Sequence, residues 1–141
     1  MKLFLDANIL FTAAYSPGGI SRALFDLDKT GSCELVSSAY AMEVARRNLA
    51  VKAPACLADF TENRSLLRIV AEPSPQQTPW ATELSLPAKD VPIVTAACEA
   101  GCDILVTGDR RDFGHLFGVT IRGLVVLPPA DTLLRILPQA D

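Results

Sequence analysis

Two short apolar segments of this chain each end at an aspartate, and this feature limits the folds that are open to it. Leu3-Phe4-Leu5 runs directly into Asp6, and Ile104-Leu105-Val106-Thr107 is followed by Gly108 and Asp109. Strands that are apolar at every position are typical of a parallel sheet that is covered on both faces. Each aspartate therefore marks the end of a buried strand, where a charge needs a partner.

Segments with a helical pattern alternate with these two apolar strands and with further candidate strands. The best-marked helix follows Asp90, with Pro92 in its first turn and Gly101 after its alanine-rich body. Strands that alternate with helices predict a parallel sheet flanked by helices on both faces. We therefore predict an α/β fold, in one three-layer domain over residues 1–141. The expected strands are 2–5, 34–37, 66–71, 103–107, 119–121 and 124–127, and the expected helices begin at Ile20, Ser37 or Ser38, Pro54, Asp90 and Asp131.

Two polar segments are expected to lie at the surface. Residues 72–89 contain four prolines and are interpreted as a connection with one short helix that begins at Thr78 and Pro79. Residues 108–114 are interpreted as a polar turn after a buried strand. These segments carry or border several of the acidic residues considered below.

The composition excludes several classes of protein. Half of the 141 residues are hydrophobic and the net charge is −3, which does not fit a disordered chain. Because no apolar run approaches the length of a membrane span and the N-terminus lacks a signal-peptide pattern, we expect a cytoplasmic protein with no membrane association. The acidic balance argues against a basic coat that binds nucleic acid by bulk charge. The four cysteines and His115 are interpreted as packing or surface residues.

Five carboxylates occupy positions where a parallel sheet collects functional side chains. Ligands of such sheets bind outside the carboxyl ends of the strands. Carboxylates that meet there repel each other unless protons or cations neutralise them. Oxygen ligands without histidine or cysteine favour Mg²⁺ or Mn²⁺ over zinc, and such an ion activates water for phosphoryl displacement. The acids expected to meet at this edge are Asp6, Glu43, Asp90, Asp109 and Asp112.

Three of these acids also have an ordinary structural explanation. Asp90 is equally well explained as the N-cap of its helix. Glu43 on its own reads as a solvated helix residue, and Asp112 as the cap of a short helix near Phe113. Asp6 and Asp109 are harder to explain in this way, because each interrupts the end of an apolar strand.

The order and surroundings of these acids resemble a PIN domain and, more closely, the VapC-type toxins of bacterial and archaeal toxin–antitoxin modules. The resemblance covers nearly the whole chain, except residues 73–87, which match no motif of the family. It implies a PIN-like fold. The segments that carry the resemblance are Leu3-Phe4-Leu5-Asp6-Ala7-Asn8, Glu43, Lys89-Asp90-Val91-Pro92-Ile93-Val94 and Leu105-Val106-Thr107-Gly108-Asp109.

The resemblance also implies an activity and a set of site residues. It implies an endoribonuclease that uses Mg²⁺ or Mn²⁺, needs no nucleotide cofactor, cuts single-stranded or loop RNA and is blocked by an antitoxin protein. Asn8 and Thr107 match polar residues that hold the acidic loops in place, and Asp112 matches a further acid of many members. A homodimer is expected from the family and from the apolar surplus. The residues that match the catalytic, metal-binding carboxylates are Asp6, Glu43, Asp90 and Asp109.

Arginines near the acids are candidate contacts for RNA phosphates. Arg110 and Arg111 directly follow Asp109, and Arg46 and Arg47 lie one turn after Glu43 on the same predicted helix. The alternative is a solvated face, because adjacent arginines on a helix usually serve only to keep it hydrated. The Arg110–Arg111 pair is the better candidate of the two.

Two other functions remain open from the sequence. An Asp-dependent phosphohydrolase would use Asp6, after the first strand, as its nucleophile. Such enzymes usually carry a second acid two residues later, where this chain has Asn8. A catalytically silent binding module would use the acidic pocket to hold a basic side chain of a partner. The presence of acids at all four positions argues against the second alternative.

Overall fold

The computed structural model describes residues 1–137 and contains a six-stranded sheet with helices packed against it. Short 3-10 segments connect several of these elements, and two of them, Pro79–Leu84 and Ala88–Asp90, lie in the proline-rich connection. The strands are β1 (Lys2–Leu5), β2 (Glu34–Ser38), β3 (Arg68–Val70), β4 (Ile104–Val106), β5 (Thr120–Ile121) and β6 (Leu124–Leu127). The helices are α1 (Ala7–Tyr15), α2 (Ile20–Lys29), α3 (Ala39–Lys52), α4 (Leu57–Arg64), α5 (Val91–Glu99), α6 (Arg110–Phe113) and α7 (Pro129–Ile136).

The sheet is mostly parallel, in the order β3-β2-β1-β4-β6-β5, which confirms the predicted fold class. One pairing differs from the prediction, because β5 runs antiparallel to β6. Only Arg122 and Gly123 separate these two strands, and both have positive φ angles, of 50° and 85°. A two-residue loop of this conformation forms a tight hairpin, which forces the antiparallel pairing.

The centre of the sheet is where the order of the strands reverses. From β1 the chain moves outward to β2 and β3, and then returns to place β4 on the other side of β1. Right-handed crossovers in opposite directions put the connecting helices on opposite faces of the sheet. The carboxyl ends of β1 and β4 therefore flank a crevice, which is where parallel sheets bind their ligands.

The two central strands are buried on both faces, as their apolar sequences predict. Leu3, Phe4 and Leu5 of β1 are fully buried, and the three residues of β4 are at most 1% exposed. The main-chain N–H of Asp6 donates to the Val106 carbonyl over 3.1 Å, so the pairing of β1 with β4 extends to the first acidic residue. The rigid core thus reaches the edge of the crevice.

Helix α1 lies where the sequence predicted no helix, and α6 was predicted only as the alternative of a short helix near Phe113. Helix α1 begins directly after β1 and buries Ile9, Leu10, Ala13 and Ala14. The segment predicted as a polar turn, residues 108–114, contains the short helix α6. Both helices begin immediately after an aspartate, so the two acids at the strand ends also start helices. No helix within residues 1–137 combines the length and the apolar character that a membrane crossing requires.

Candidate metal centre

Asp6 is held in the crevice by hydrogen bonds to both of its carboxylate oxygens. Its side chain caps α1, because Oδ1 accepts from the Ala7 N–H over 2.7 Å. Oδ2 accepts from the Thr107 hydroxyl at 2.9 Å and from Asn8 Nδ2 at 3.4 Å. Burial raises the pKa of Asp6, although the Thr107 hydrogen bond opposes this effect, and the nearby Asp109 raises the pKa further. No cation forms an ion pair with Asp6 among residues 1–137.

Thr107 and Asn8 connect the ends of the two central strands. The Thr107 hydroxyl also accepts from Asn8 Nδ2 and from the Asp109 N–H, both at 3.2 Å. The side-chain carbonyl of Asn8 accepts from the Gly108 N–H at 3.1 Å. These bonds fix the loop after β4 against the loop after β1, and therefore set the positions of Asp6 and Asp109.

Asp109 begins helix α6 and brings Asp112 to the crevice. Asp109 Oδ1 accepts from the Asp112 N–H at 3.1 Å, so Asp109 is the cap of this helix and Asp112 is not. Asp112 lies on α6, three residues later. Its pKa is lowered, chiefly by a hydrogen bond from Lys89. The alternative explanation of Asp112 as a helix cap therefore does not fit the structure.

Asp90 is buried and has one oxygen without a hydrogen bond. It precedes α5, yet its side chain makes no capping hydrogen bond to that helix. Its Oδ2 has no hydrogen-bond partner in the described part of the chain; the nearest cation, Lys89 Nζ, lies 3.5 Å away as an ion-pair contact. Burial raises the pKa of Asp90 to about 6, against the opposing effect of Lys89. An ordinary capping role does not explain this residue.

Three of these acids form a group that a metal ion fits. One carboxylate oxygen each of Asp90, Asp109 and Asp112 lies within 4.8 Å of the others. All the donors are oxygens, which Mg²⁺ and Mn²⁺ prefer. A buried carboxylate oxygen without a hydrogen bond, such as Asp90 Oδ2, is costly, and a bound divalent cation would satisfy it. The residues present therefore fit a hard divalent ion, and Asp6 lines the same cavity as Asp90 and Asp109.

The structure does not bring Glu43 into this group. Its side chain on α3 is 47% exposed, and both oxygens pair with Arg46, at 2.7 and 2.9 Å, while Arg47 Nε lies 3.4 Å away. Hydrogen bonding to Arg46 lowers the pKa of Glu43. The next residue, Val44, lines the cavity instead. Because successive helix residues point about 100° apart, Glu43 faces away from the other four acids.

Lys89 is a site residue that the sequence analysis missed. Its Nζ lies 3.0 Å from Asp112 Oδ2 as well as 3.5 Å from Asp90 Oδ2. Its main-chain carbonyl accepts from the Tyr40 hydroxyl at 2.8 Å. The signal available in the sequence was that Lys89 is the only basic residue between Arg68 and Arg110, and that it directly precedes one of the candidate acids.

A cavity of about 250 Å³ extends from the acids to the surface of α3. Its walls include the half-buried rings of Phe11 and Tyr40 and the buried side chain of Ile93. Its exposed lining includes Asn48 and Lys52, and Lys52 Nζ lies 5.7 Å from the centre of the Phe11 ring. The cavity thus joins a carboxylate cluster to aromatic, amide and cationic groups.

The candidate phosphate contacts differ in their surroundings. Arg110 and Arg111 are exposed at the start of α6 and form no ion pair within residues 1–137. Arg46 and Arg47 instead form ion pairs with Glu43 on their own helix. His115 is exposed, in agreement with its interpretation as a surface or packing residue, and its ring Nε2 lies 2.8 Å from the Leu84 carbonyl oxygen.

Comparisons with known proteins agree with this architecture. Residues 2–111 match the family model described as PIN domain. The crystal structure of VapBC2 from Rickettsia felis bound to a DNA fragment from its promoter is similar, with a TM-score of 0.67 and 19% identity over 91% of this chain and 98% of that chain. The crystal structure of DNA-bound VapBC from Salmonella typhimurium has a TM-score of 0.69 and 18% sequence identity, over 92% of this chain and 98% of that chain. The structure of VapBC-1 from nontypeable Haemophilus influenzae has a TM-score of 0.61 and 15% sequence identity, over 92% of this chain and 99% of that chain. No curated protein is significantly similar in sequence.

Proposed function

The chain belongs to the PIN domain family, and from this we propose that it is an endoribonuclease that depends on Mg²⁺ or Mn²⁺. The single observation that carries the proposal is the buried Oδ2 of Asp90, which has no hydrogen bond within residues 1–137, beside the carboxylates of Asp109 and Asp112. A divalent ion at these oxygens supplies an activated water and stabilises the charge that develops on a phosphodiester. Asp6 adds negative charge from the same cavity.

The protein's own groups support a polymeric nucleic-acid substrate. RNA-binding proteins commonly stack unpaired bases on aromatic rings and bond their edges with side-chain amides. Phe11 and Tyr40 offer such rings next to the acids, and Asn48 offers an amide. Arg110 and Arg111 directly follow Asp109, are exposed and form no ion pair within residues 1–137, so they are available to hold phosphates of the bound strand.

We further propose that the protein is the toxin component of a toxin–antitoxin pair that acts in the cytoplasm. The support is the sequence resemblance to VapC-type toxins and the fold shared with VapBC complexes over 98–99% of the length of the matched chains. In this proposal a cognate antitoxin protein binds the chain and blocks its crevice. A homodimer is proposed on the same basis.

A catalytically silent binding module is the second candidate, and one observation favours it. The ammonium of Lys89 already contacts Asp90 and Asp112, so the acidic group accepts a basic side chain in the free protein. A phosphohydrolase with an Asp6 nucleophile has less support, because both oxygens of Asp6 are engaged in hydrogen bonds and the residue two positions on is the amide Asn8.

The experiment that separates these functions is cleavage of a mixed RNA pool by the purified protein. We expect cleavage with Mg²⁺ or Mn²⁺, none with a chelator, and none by Asp90→Asn. The control Asp59→Asn changes an exposed aspartate on α4 and should cleave as the unchanged protein does. Intact RNA under all conditions favours the binding module, and hydrolysis of a small phosphate monoester without RNA cleavage favours the phosphohydrolase.

A further inference from the structure

The position of one side chain points to how the proposed metal site is controlled. We propose that Lys89 is an internal cation that competes with the divalent ion for Asp90 and Asp112. The inference rests on the proposed function and concerns the regulation of the same site. It assigns to Lys89 a role that is separate from holding the ion or contacting the reacting atoms.

The competition follows from which oxygens the ammonium contacts. Lys89 Nζ lies 3.0 Å from Asp112 Oδ2 and 3.5 Å from Asp90 Oδ2. The Asp90 atom is also the buried oxygen that has no hydrogen bond. A divalent ion that ligates these two carboxylates would stand within a few ångströms of the ammonium, and like charges at such distances repel strongly in a partly buried site. The ion and the ammonium therefore exclude each other.

The surroundings of Lys89 make its side chain able to leave. The backbone is fixed, because the Tyr40 hydroxyl donates to the Lys89 carbonyl at 2.8 Å and the Asp90 N–H donates to the Pro87 carbonyl at 2.9 Å. The side chain itself is 62% exposed, while that of Asp90 is 8% exposed. An exposed ammonium loses little when it returns to water. The buried acid stays in place and receives the incoming ion.

The charged groups that contact the Lys89 ammonium within residues 1–137 are both carboxylates, as this role requires. The ammonium interacts with Asp90 and Asp112, and it also lowers the pKa of Asp6 through space. Without metal, the single positive charge of Lys89 offsets part of the repulsion within the acidic group. With metal, the ion replaces this effect and Lys89 turns to the solvent. Lys89 thereby raises the concentration of free metal that the protein needs.

The test is a titration with Mn²⁺, in which electron paramagnetic resonance measures the free ion. Lys89→Met should bind Mn²⁺ about tenfold more tightly than the unchanged protein. The matched control Lys52→Met removes the same charge from the lining of the same cavity, but from a side chain that pairs with no acid among residues 1–137. It should change the affinity by no more than about twofold. Lys89→Arg keeps the charge and should bind no more tightly than the unchanged protein.

Thermal unfolding with a chelator provides a second measurement. Metal-free Lys89→Met should melt at a lower temperature than Lys52→Met, because its acids lose their counter-charge. If the unchanged protein binds Mn²⁺ but Lys89→Met binds no more tightly than Lys52→Met, competition is excluded and the proposed nuclease still stands. If neither the unchanged protein nor Lys89→Met binds Mn²⁺, both this inference and the proposed metal site are wrong.

Discussion

The Thr107 hydroxyl donates a 2.9 Å hydrogen bond to Asp6 Oδ2, across 101 positions of the sequence. The same hydroxyl accepts from the Asp109 N–H. One small polar side chain therefore links the acids that follow the two central strands. Because Thr107 is fully buried, this link is protected from competition by water.

Replacement of this hydroxyl tests its role directly. Thr107→Val keeps the shape of the side chain but leaves Asp6 Oδ2 with only its long bond to Asn8, and the Asp109 N–H without its acceptor. We expect a loss of about 1–3 kcal/mol in the free energy of unfolding, together with loss of RNA cleavage. Thr107→Ser retains the hydroxyl and should keep the activity. Equal activity of the two variants would show that the link is not needed.

Asp6→Asn separates a role in the active site from a structural one. The substitution keeps size and shape but removes a negative charge, so cleavage should fall by about two orders of magnitude or more. The stability of the metal-free protein should change by no more than about 1 kcal/mol, because relief of the buried charge offsets the hydrogen bond that the new amide nitrogen cannot accept. If Asp6 belonged to a buried ion pair, the substitution would instead lower the free energy of unfolding by about 3–5 kcal/mol. Activity and metal-free melting temperature should be measured on one preparation.

The raised pKa of Asp90 predicts how the stability of the metal-free protein depends on pH. The folded protein holds this proton up to a pKa of about 6, whereas the ordinary value is 3.8. Between these values the folded state binds more protons than the unfolded state, so the contribution of Asp90 to stability falls as the pH rises and is constant above that window. Denaturant unfolding in a chelator should show this decline relative to Asp90→Asn. Parallel stability profiles for the two proteins would contradict it.

The arginine pair on α6 should affect substrate binding rather than the chemical step. Removal of both Arg110 and Arg111 by substitution with alanine should raise KM for RNA several-fold and leave kcat within about twofold. The salt dependence of binding should also become shallower, by about 0.7 in logarithmic slope for each lost phosphate contact. A protein with Arg64→Ala and Arg135→Ala loses the same charge from other exposed positions and serves as the control. Identical KM values for the two proteins would exclude the contact.

The sequence predicts the parts of the fold in which one pattern dominates. Continuous apolar runs located β1 and β4, and their terminal acids located the crevice. Helix α1 was missed because seven of its nine residues are apolar, so that only Asn8 and Thr12 mark its polar face. It also follows β1 with only Asp6 between them, which leaves no separate turn signal.

The sequence does not determine the direction in which a helical side chain points. A prediction that α3 is a helix fixes the angle of about 100° between Glu43 and Val44, but it does not fix how the helix is rotated about its axis against the sheet, which decides which of the two faces the crevice. The contact between Lys89 and Asp112 joins residues 23 positions apart on separate segments. It depends on how the 3-10 turn Ala88–Asp90 packs against α6, which no local pattern encodes.

Anomalous diffraction at the manganese edge tests most directly whether Asp90, Asp109 and Asp112 hold a divalent cation in the crevice at the ends of β1 and β4. Crystals grown with Mn²⁺ should show an anomalous peak within coordination distance of carboxylate oxygens of Asp90, Asp109 and Asp112, with Glu43 still paired to Arg46. Absence of a peak at these acids in fully loaded crystals, or a peak at Glu43 alone, would contradict the account.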